Sequence, residues 1–334
     1  MALKIAINGF GRIGRCVTRV ISMRDDVELV AINDLATIDM MLYLLENDSV
    51  HGGFKSEVTQ IDENHISIDS KKIKIYSKKD PNELNFIECG ADVVIECSGK
   101  FLSKDLVQHH IDKGIKKVIF SAPAEDNTPT FVLGVNEEKY NGEDIISNAS
   151  CTTNCLGPIA KVLDDEYGIE KGLMTTIHSY TNDQSILDVT HAKDKRRARA
   201  AGVNIIPTST GAAKALKLVL PQLDGKLHGQ SVRVPTPDVS MVDFNVVLNR
   251  NTTTQEVNEL FNNFANTKLK DIILIDNKMK VSQDIVGSTY SSIIAQDLTQ
   301  VIGGNMLKIM AWYDNEWGYS NRLIDMSLYI TKKD

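Results

Sequence analysis

The sequence predicts an α/β protein in two parts. Residues 1–150 should form a mostly parallel sheet covered by helices, and the rest an α+β domain with a mixed or antiparallel sheet. Three observations carry this expectation. The chain has 334 residues, more than one hydrophobic core comfortably serves. Short runs rich in Val and Ile alternate with helix-compatible stretches up to Cys151. Beyond that cysteine, strand-like runs succeed one another with fewer helices between them.

In the first part the strand-like runs are "LKIAING", "VELVAIND", "KIKIY", "ADVVIECSG" and "KKVIFSAP", each ending near Gly, Asn, Asp or Pro. "RIGRCVTRVISMR" and "SKDLVQHHIDKG" read as helices between them, and "VTQIDENHISIDSKKIKIY" as an antiparallel excursion. In the second part the strands are "GLMTTIHSY", "GQSVRVPTP", "SMVDFNVVLN", "DIILID", "TYSSIIAQ" and "NMLKIMAWYDN". Helices are expected over 152–166, 209–220 and 254–267. A closing helix is expected from the apolar spacing of Leu323, Met326, Leu328 and Ile330.

Composition narrows the function. Apolar residues make up 42% and charged residues 24%, ordinary for a globular protein. A net charge of -7 gives no general reason to expect nucleic acid or an anionic membrane as partner. The five cysteines, at 16, 89, 97, 151 and 155, are too few and scattered for a disulfide framework and suit a reducing compartment. The opening "MALKIAINGFG" shows no secretory or lipidation pattern, and no apolar run is long enough to span a bilayer, so a cytoplasmic protein is expected.

The first chemical signal is Gly9-Phe-Gly11-Arg-Ile-Gly14, which follows a strand and opens a helix. A second strand then ends in Asp34, twenty residues beyond Gly14. Together they form a dinucleotide-binding fingerprint of the Rossmann type. Gly9 permits the tight turn, Gly11 lets backbone approach a pyrophosphate, and Gly14 brings helix and strand together. The helix amino end offers N–H groups to the phosphates. Asp34 would accept from both ribose hydroxyls and repel a 2′-phosphate, favouring NAD over NADP. The bland alternative is a glycine turn in an unliganded α/β unit. Walker A spacing is absent.

The second signal is "SNASCTTNCLGPIAKVL". Cys151 could be a metal ligand with Cys155, half of a disulfide, a buried thiol or a nucleophile. A metal is not expected, because no second Cys/His pair accompanies these two. If a helix begins near Thr152, its dipole and amides would stabilise a Cys151 thiolate. His178, at the end of "LMTTIHSY", is the candidate base, although a lone histidine is more often structural. A nicotinamide acceptor with an activated thiol points to aldehyde oxidation through a hemithioacetal and an enzyme thioester.

"INGFGRIGR", "SNASCTTNC", "IHSYTNDQ", "RRARAAGVNIIPTSTGAAKA", "VRVPTPDVS" and "WYDNEWGYSNR" together resemble phosphorylating glyceraldehyde-3-phosphate dehydrogenase nearly end to end. That resemblance implies Cys151 as nucleophile, His178 as base and oxyanion partner, and inorganic phosphate as the second nucleophile. D-glyceraldehyde 3-phosphate would be oxidised to 1,3-bisphosphoglycerate. It implies phosphate contacts at Ser150, Thr152, Thr181, Arg196, Thr210, Gly211 and Arg233, with Arg199 an alternative to Arg196. It implies cofactor contacts at Arg12, Ile13, Asp34, Lys79, Ser121 and Asn315, beside the three glycines. Residues 1–150 with the helix 316–334 would form the NAD-binding domain, 151–315 the catalytic domain, and the chain a homotetramer. Thr190 departs from the Pro common in NAD-preferring members, setting it against Asp34 on cofactor choice. Erythrose-4-phosphate dehydrogenase is the neighbouring alternative, and a thiol redox sensor or moonlighting binder the alternative from another class.

Overall fold

The computed structural model describes residues 2–192 and 194–333. Lys193 therefore lies outside the described residues, as do the expected domain ends Met1 and Asp334. The chain divides into two compact units. One comprises Met1–Phe131, Glu138–Ser150 and Ser320–Asp334, the other Val132–Glu137 and Cys151–Tyr319.

The first unit is built on a sheet of β1 (Leu3–Asn8), β2 (Val27–Asn33), β3 (Val58–Asp62), β4 (His65–Ile68), β5 (Lys71–Tyr76), β6 (Val93–Glu96), β7 (Lys117–Phe120) and β8 (Ile145–Ser147). Their order is β3-β4-β5-β2-β1-β6-β7-β8. Pairing is parallel from β5 across to β8. The pairs β3–β4 and β4–β5 are antiparallel, so the expected excursion closes by laying β5 parallel to β2. Ile5, Ala6 and Ile7 of β1 are all fully buried. A strand covered on both faces reads as a continuous apolar run for this reason, and each buried Ile contributes about 1.5–3 kcal/mol.

Helices α1 (Arg12–Ser22), α2 (Ile38–Glu46) and α3 (Lys104–Asp112) accompany this sheet. The sequence reading passed over α2, and its burial explains why. Only Met41 and Leu45 are buried, while the apolar Met40 and Tyr43 are exposed. The chain runs from β1 to one neighbour, β2, and returns on the other side as β6. That reversal opens a crevice at the carboxyl ends of the strands, where Asn8, Asn33 and Glu96 are the last residues.

The second unit holds β9 (Ile169–Ser179), β10 (Ile206–Ser209), β11 (Leu227–Val234), β12 (Ser240–Leu248), β13 (Ile273–Asp276), β14 (Ser292–Ala295), β15 (Gln300–Ile302) and β16 (Met306–Tyr313). The order is β10-β11-β9-β12-β16-β14-β13, with β15 on β16. The pairs β9–β11 and β13–β14 are parallel and the others antiparallel, making the sheet mixed. α4 (Cys151–Tyr167) packs on β9, β12, β14 and β16. α5 (Ala212–Val219) packs on β11, and α6 (Thr254–Asn266) on β13. α7 (Trp317–Lys332) closes the chain and, from Ser320 on, belongs to the first unit.

Residues 206–209 form the edge strand β10, where Pro207 is tolerated, so the helix expected from 209 starts later, at Ala212. α6 starts at a capping box. Thr253 Oγ1 accepts from Glu256 N at 3.2 Å, and Glu256 Oε2 accepts from Thr253 N at 2.8 Å. Removing such a cap costs about 1 kcal/mol. Register then decides what the sheet presents at one end. His178 lies opposite Arg233, and Ser240 opposite Tyr313.

Candidate active site

The first unit carries a cavity of about 490 Å³ at the carboxyl ends of β1, β2 and β6. It is lined by Asn8, Gly9, Gly11, Asp34, Lys79 and Ser98 among others. Gly9 has φ +96, and a Cβ there would lie 2.6 Å from the Ser98 nitrogen. A Cβ on Gly14 would lie 2.2 Å from the Gly9 oxygen, whereas one on Gly11 meets no protein atom within 4 Å. Gly9 and Gly14 are thus required by the fold, and Gly11 is bare where the helix α1 amino end faces the cavity.

Asp34 Oδ2 accepts from Phe10 N at 2.7 Å and Oδ1 from Ala36 N at 2.9 Å. Two amides fix the carboxylate and leave further lone pairs for ribose hydroxyls. Arg12 opens α1 and forks onto Asp48 at 2.6 and 3.2 Å, and Ile13 follows it in the helix. Ser121 follows β7 at the same sheet end, its N–H donating to Glu96 O at 3.0 Å. A carboxylate at the end of β2, a bare glycine turn at a helix start and a cavity of this size suit a dinucleotide.

The second unit carries the thiol. α4 begins at Cys151 itself, after Ala149 adopts a left-handed φ of +56. A non-glycine residue there costs about 1 kcal/mol, strain that marks a turn made for a purpose. Cys151 Sγ lies 3.8 Å from His178 Nε2 and 4.0 Å from Thr152 Oγ1. His178 Nδ1 lies 2.7 Å from the Ser179 carbonyl, which can only accept, so Nδ1 carries the proton and Nε2 presents its lone pair to the sulfur. Arg233 Nη1 also approaches Nδ1, at 3.1 Å, but its two hydrogens are used by Ser179 O at 3.1 Å and Thr181 Oγ1 at 3.0 Å.

Burial and the Arg233 charge push the His178 imidazole down to about 3, so it is neutral and able to accept a proton. The thiol behaves differently from the sequence expectation. Burial raises Cys151 above the ordinary thiol value, outweighing the Thr152 hydroxyl, Arg233 and the Thr152 amide, which pull it down. The pair is therefore thiol and neutral imidazole, not an ion pair. Thr152, expected to contact phosphate, is buried with its hydroxyl 2.9 Å from Tyr313 OH. Tyr313 OH lies 2.8 Å from Thr176 Oγ1, and its ring stands edge-on to His178 at 6.0 Å.

Asn315 Oδ1 accepts from Ser179 Oγ at 2.9 Å and from Ser240 Oγ at 2.7 Å. These two bonds orient the amide with its nitrogen, the donor end, directed away from them. Thr210 Oγ1 accepts from Ala212 N at 3.1 Å, and Gly211 caps α5. Ser150 directly precedes the nucleophile candidate in the chain.

The arginines of "RRARA", residues 196–200, separate clearly. Arg197 donates Nε to Thr208 at 2.9 Å, Nη1 to Asp183 at 2.8 Å and Nη2 to Ser209 O at 3.1 Å. Asp183 also accepts from the Thr181 hydroxyl, which Arg233 holds from the other side. Arg196, the residue expected by resemblance, is exposed; its backbone N–H donates to Asp194 at 2.8 Å and its carbonyl accepts from Arg199 N at 3.2 Å. Arg199 pairs with Asp188 at the surface. Sequence reasoning missed Arg197, Tyr313, Thr176, Ser179 and Ser240; only the repetition of Arg in "RRARA" hinted at the first.

Among the described residues, no helix is long and apolar enough to cross a membrane. The family model "Glyceraldehyde 3-phosphate dehydrogenase, NAD binding domain" matches residues 3–104, and the corresponding C-terminal domain model matches 150–315. Glyceraldehyde-3-phosphate dehydrogenase 1 of Bacillus subtilis is 51% identical over 335 residues, covering 100% of this chain and 99% of its own. The enzyme of Geobacillus stearothermophilus is 50% identical, with 100% and 99% covered. The chloroplastic GAPB protein of Arabidopsis thaliana is 51% identical, covering 99% of this chain and 75% of its own. NAD is the cofactor, and the cavity of about 490 Å³ beside Asp34 is lined by polar groups that suit it. With a nucleotide crevice in one unit, a thiol facing an imidazole in the other, and family models on both, the chain belongs to the glyceraldehyde-3-phosphate dehydrogenase family.

Proposed function

We propose that the chain oxidises D-glyceraldehyde 3-phosphate to 1,3-bisphosphoglycerate with NAD and inorganic phosphate, using Cys151 as nucleophile and His178 as base. The observation that carries this reading is the Sγ–Nε2 approach of 3.8 Å with Nδ1 committed to Ser179 O. Gly9, Gly11, Arg12, Ile13, Gly14, Asp34, Lys79 and Ser121 would hold the cofactor's adenosine and pyrophosphate side, and Asn315 its carboxamide. NAD, when bound, supplies the hydride acceptor.

His178 Nε2 takes the thiol proton as sulfur bonds to the aldehyde carbon, and returns it to the new alkoxide, giving a hemithioacetal. The same nitrogen removes the hydroxyl proton as the carbon is oxidised, leaving a thioester on Cys151 and an imidazolium. A phosphate oxygen then attacks the thioester carbon and the C–S bond breaks. His178 gives its proton to the departing sulfur, and the proton of the phosphate passes to solvent. A base at this position is worth about 10²–10⁴ in rate.

Arg233, Thr181 and Arg197 are proposed to bind the substrate phosphate, Arg197 standing in place of Arg196. The Gly211 amide, the Thr210 hydroxyl, Ser150 and the Thr152 amide are proposed for the attacking phosphate. Guanidinium forks and amides are the donors such anions need. The domain assignment is read in the same way. Residues 1–150 with 316–334 serve the cofactor and 151–315 the chemistry, in a cytoplasmic homotetramer. NADH formation from D-glyceraldehyde 3-phosphate, with and without inorganic phosphate, tests the proposal. Sustained turnover must depend on phosphate, and turnover indifferent to it would favour the hydrolytic erythrose-4-phosphate alternative.

A further inference from the structure

Glu96 ends β6 with a fully buried carboxyl group and, among the described residues, no cation bonded to it. Everything that reaches it is a donor. Asn8 Nδ2 donates to Oε2 at 2.5 Å, Ser98 N to Oε1 at 2.7 Å, and the Ser98 hydroxyl to the same oxygen. The orientation of these donors is set from a distance. Lys78 N donates to Asn33 Oδ1 at 2.8 Å and Lys78 O accepts from Asn33 Nδ2 at 3.0 Å, so this amide cannot flip. Asn33 Nδ2 also donates to Asn8 Oδ1 at 2.8 Å, which turns the Asn8 amide nitrogen toward Glu96. Asn8, Asn33, Lys78 and Ser98 all line the cavity that also contains Asp34.

We propose that ionised Glu96 is a positioning residue for the cofactor, and that its carboxylate, through Asn8 and Asn33 on one side and Ser98 on the other, holds both walls of the dinucleotide cavity in their binding arrangement. The inference rests on the assignment of that cavity to NAD. A proton on Oε2 would set an O–H against Asn8 Nδ2, which the Asn33–Lys78 relay holds in place, and a proton on Oε1 would force the Ser98 hydroxyl to turn from donor to acceptor. Either change loosens a contact that holds a cavity wall. Burial opposes ionisation while the Ser98 and Asn8 bonds favour it, and the balance lies at about 7. The surrounding groups leave this balance to Glu96. β1 contributes Asn8, β7 faces it with Phe120, and β2 contributes Asn33 with Asp34 beyond it. Neighbouring Cys97 is pushed far above neutral by burial and by Glu96 itself, so it stays a thiol. Lys78 turns its Nζ to Glu83 at 2.7 Å, and Arg12 forks onto Asp48.

The test is calorimetric titration of the full chain with NAD at pH 6, 7 and 8. Wild type should bind more weakly as pH falls, with Kd rising severalfold to about tenfold between pH 8 and 6, the reach of a shift of about one pH unit. Glu96→Gln sets an amide nitrogen against the same donors. It should bind weakly at every pH, with no slope. Ser98→Ala removes one donor to the carboxylate and should move the midpoint to higher pH, which keeps the proposal testable should the glutamine variant fold poorly. A wild-type Kd constant across this range, or a slope retained in Glu96→Gln, overturns the role of Glu96. Failure of wild type to bind NAD at any pH would instead overturn the cofactor assignment.

Discussion

Replacing Arg197 by alanine separates the site drawn by the structure from the one implied by resemblance alone. Its guanidinium is held in a plane by Thr208, Asp183 and the Ser209 carbonyl, with 21% of the side chain exposed. An arginine fixed in this way forms charge-assisted bonds with a phosphate without first losing rotamer freedom. Such a bond is worth about 1.5–3 kcal/mol, which at about 1.4 kcal/mol per decade is roughly 10- to 150-fold in affinity. Removing the charge also leaves Asp183 and Asp194 uncompensated near an anion site, which adds to the loss. Initial rates of NADH formation against D-glyceraldehyde 3-phosphate, at saturating NAD and phosphate, should show kcat/KM lowered by roughly 10- to 150-fold or more. Arg196→Ala and Arg199→Ala should stay within a few-fold, since exposed pairs contribute about 0–1 kcal/mol. Arg197→Lys keeps the charge but not the fork, and should fall between. A normal Arg197→Ala enzyme, or an Arg196→Ala enzyme equally impaired, would refute the assignment.

Three further outcomes are expected. His178→Asn should slow the first-turnover burst of NADH about a hundredfold or more, because an amide has no basic nitrogen to take the proton; an unchanged burst would remove His178 from the base role. Alkylation of Cys151 by iodoacetamide in the cofactor-free chain should still be accelerating at pH 9. Burial raises the thiol, and its ionised fraction grows about tenfold per pH unit below its midpoint. With the imidazole neutral above about 3, no ion pair interrupts that rise, and a plateau beginning near pH 6 would contradict both assignments. Asp34→Gly should narrow the preference for NAD over NADP, measured as the ratio of kcat/KM values. A variant with the wild-type ratio would shift the discrimination elsewhere, Thr190 being the first place to look.

The parts of this molecule that were legible in the sequence are those built from neighbours along the chain. The glycine turn, the acidic residue just after the second strand and the cysteine at a helix start each need only local spacing, and the structure has the turn before α1, Asp34 directly after β2 and Cys151 as the first residue of α4. The strands of the parallel sheet were legible because burial on both faces leaves no alternation to confuse them. Illegible were pairings that depend on register between distant strands. Thr152 meets Tyr313 across 161 positions, and Asn8 meets Glu96 across 88. The choice among Arg196, Arg197 and Arg199 was equally closed. All three carry the same charge in one loop, and only the path of that loop decides which faces Asp183. The thiol went the other way for a related reason: a helix start is visible in sequence, but the depth at which it is buried is not.

The three glycines of the first turn answer to different selections. Gly9 and Gly14 interlock, each leaving no room for a methyl group because the other backbone, or that of Ser98, already fills the space. Gly11 excludes nothing belonging to the protein. A library randomised at all three positions and sorted for expression should return glycine at the first and last and tolerate alanine in the middle. The same library sorted on immobilised NAD should restore glycine there too, so that one motif divides into a folding constraint and a ligand constraint.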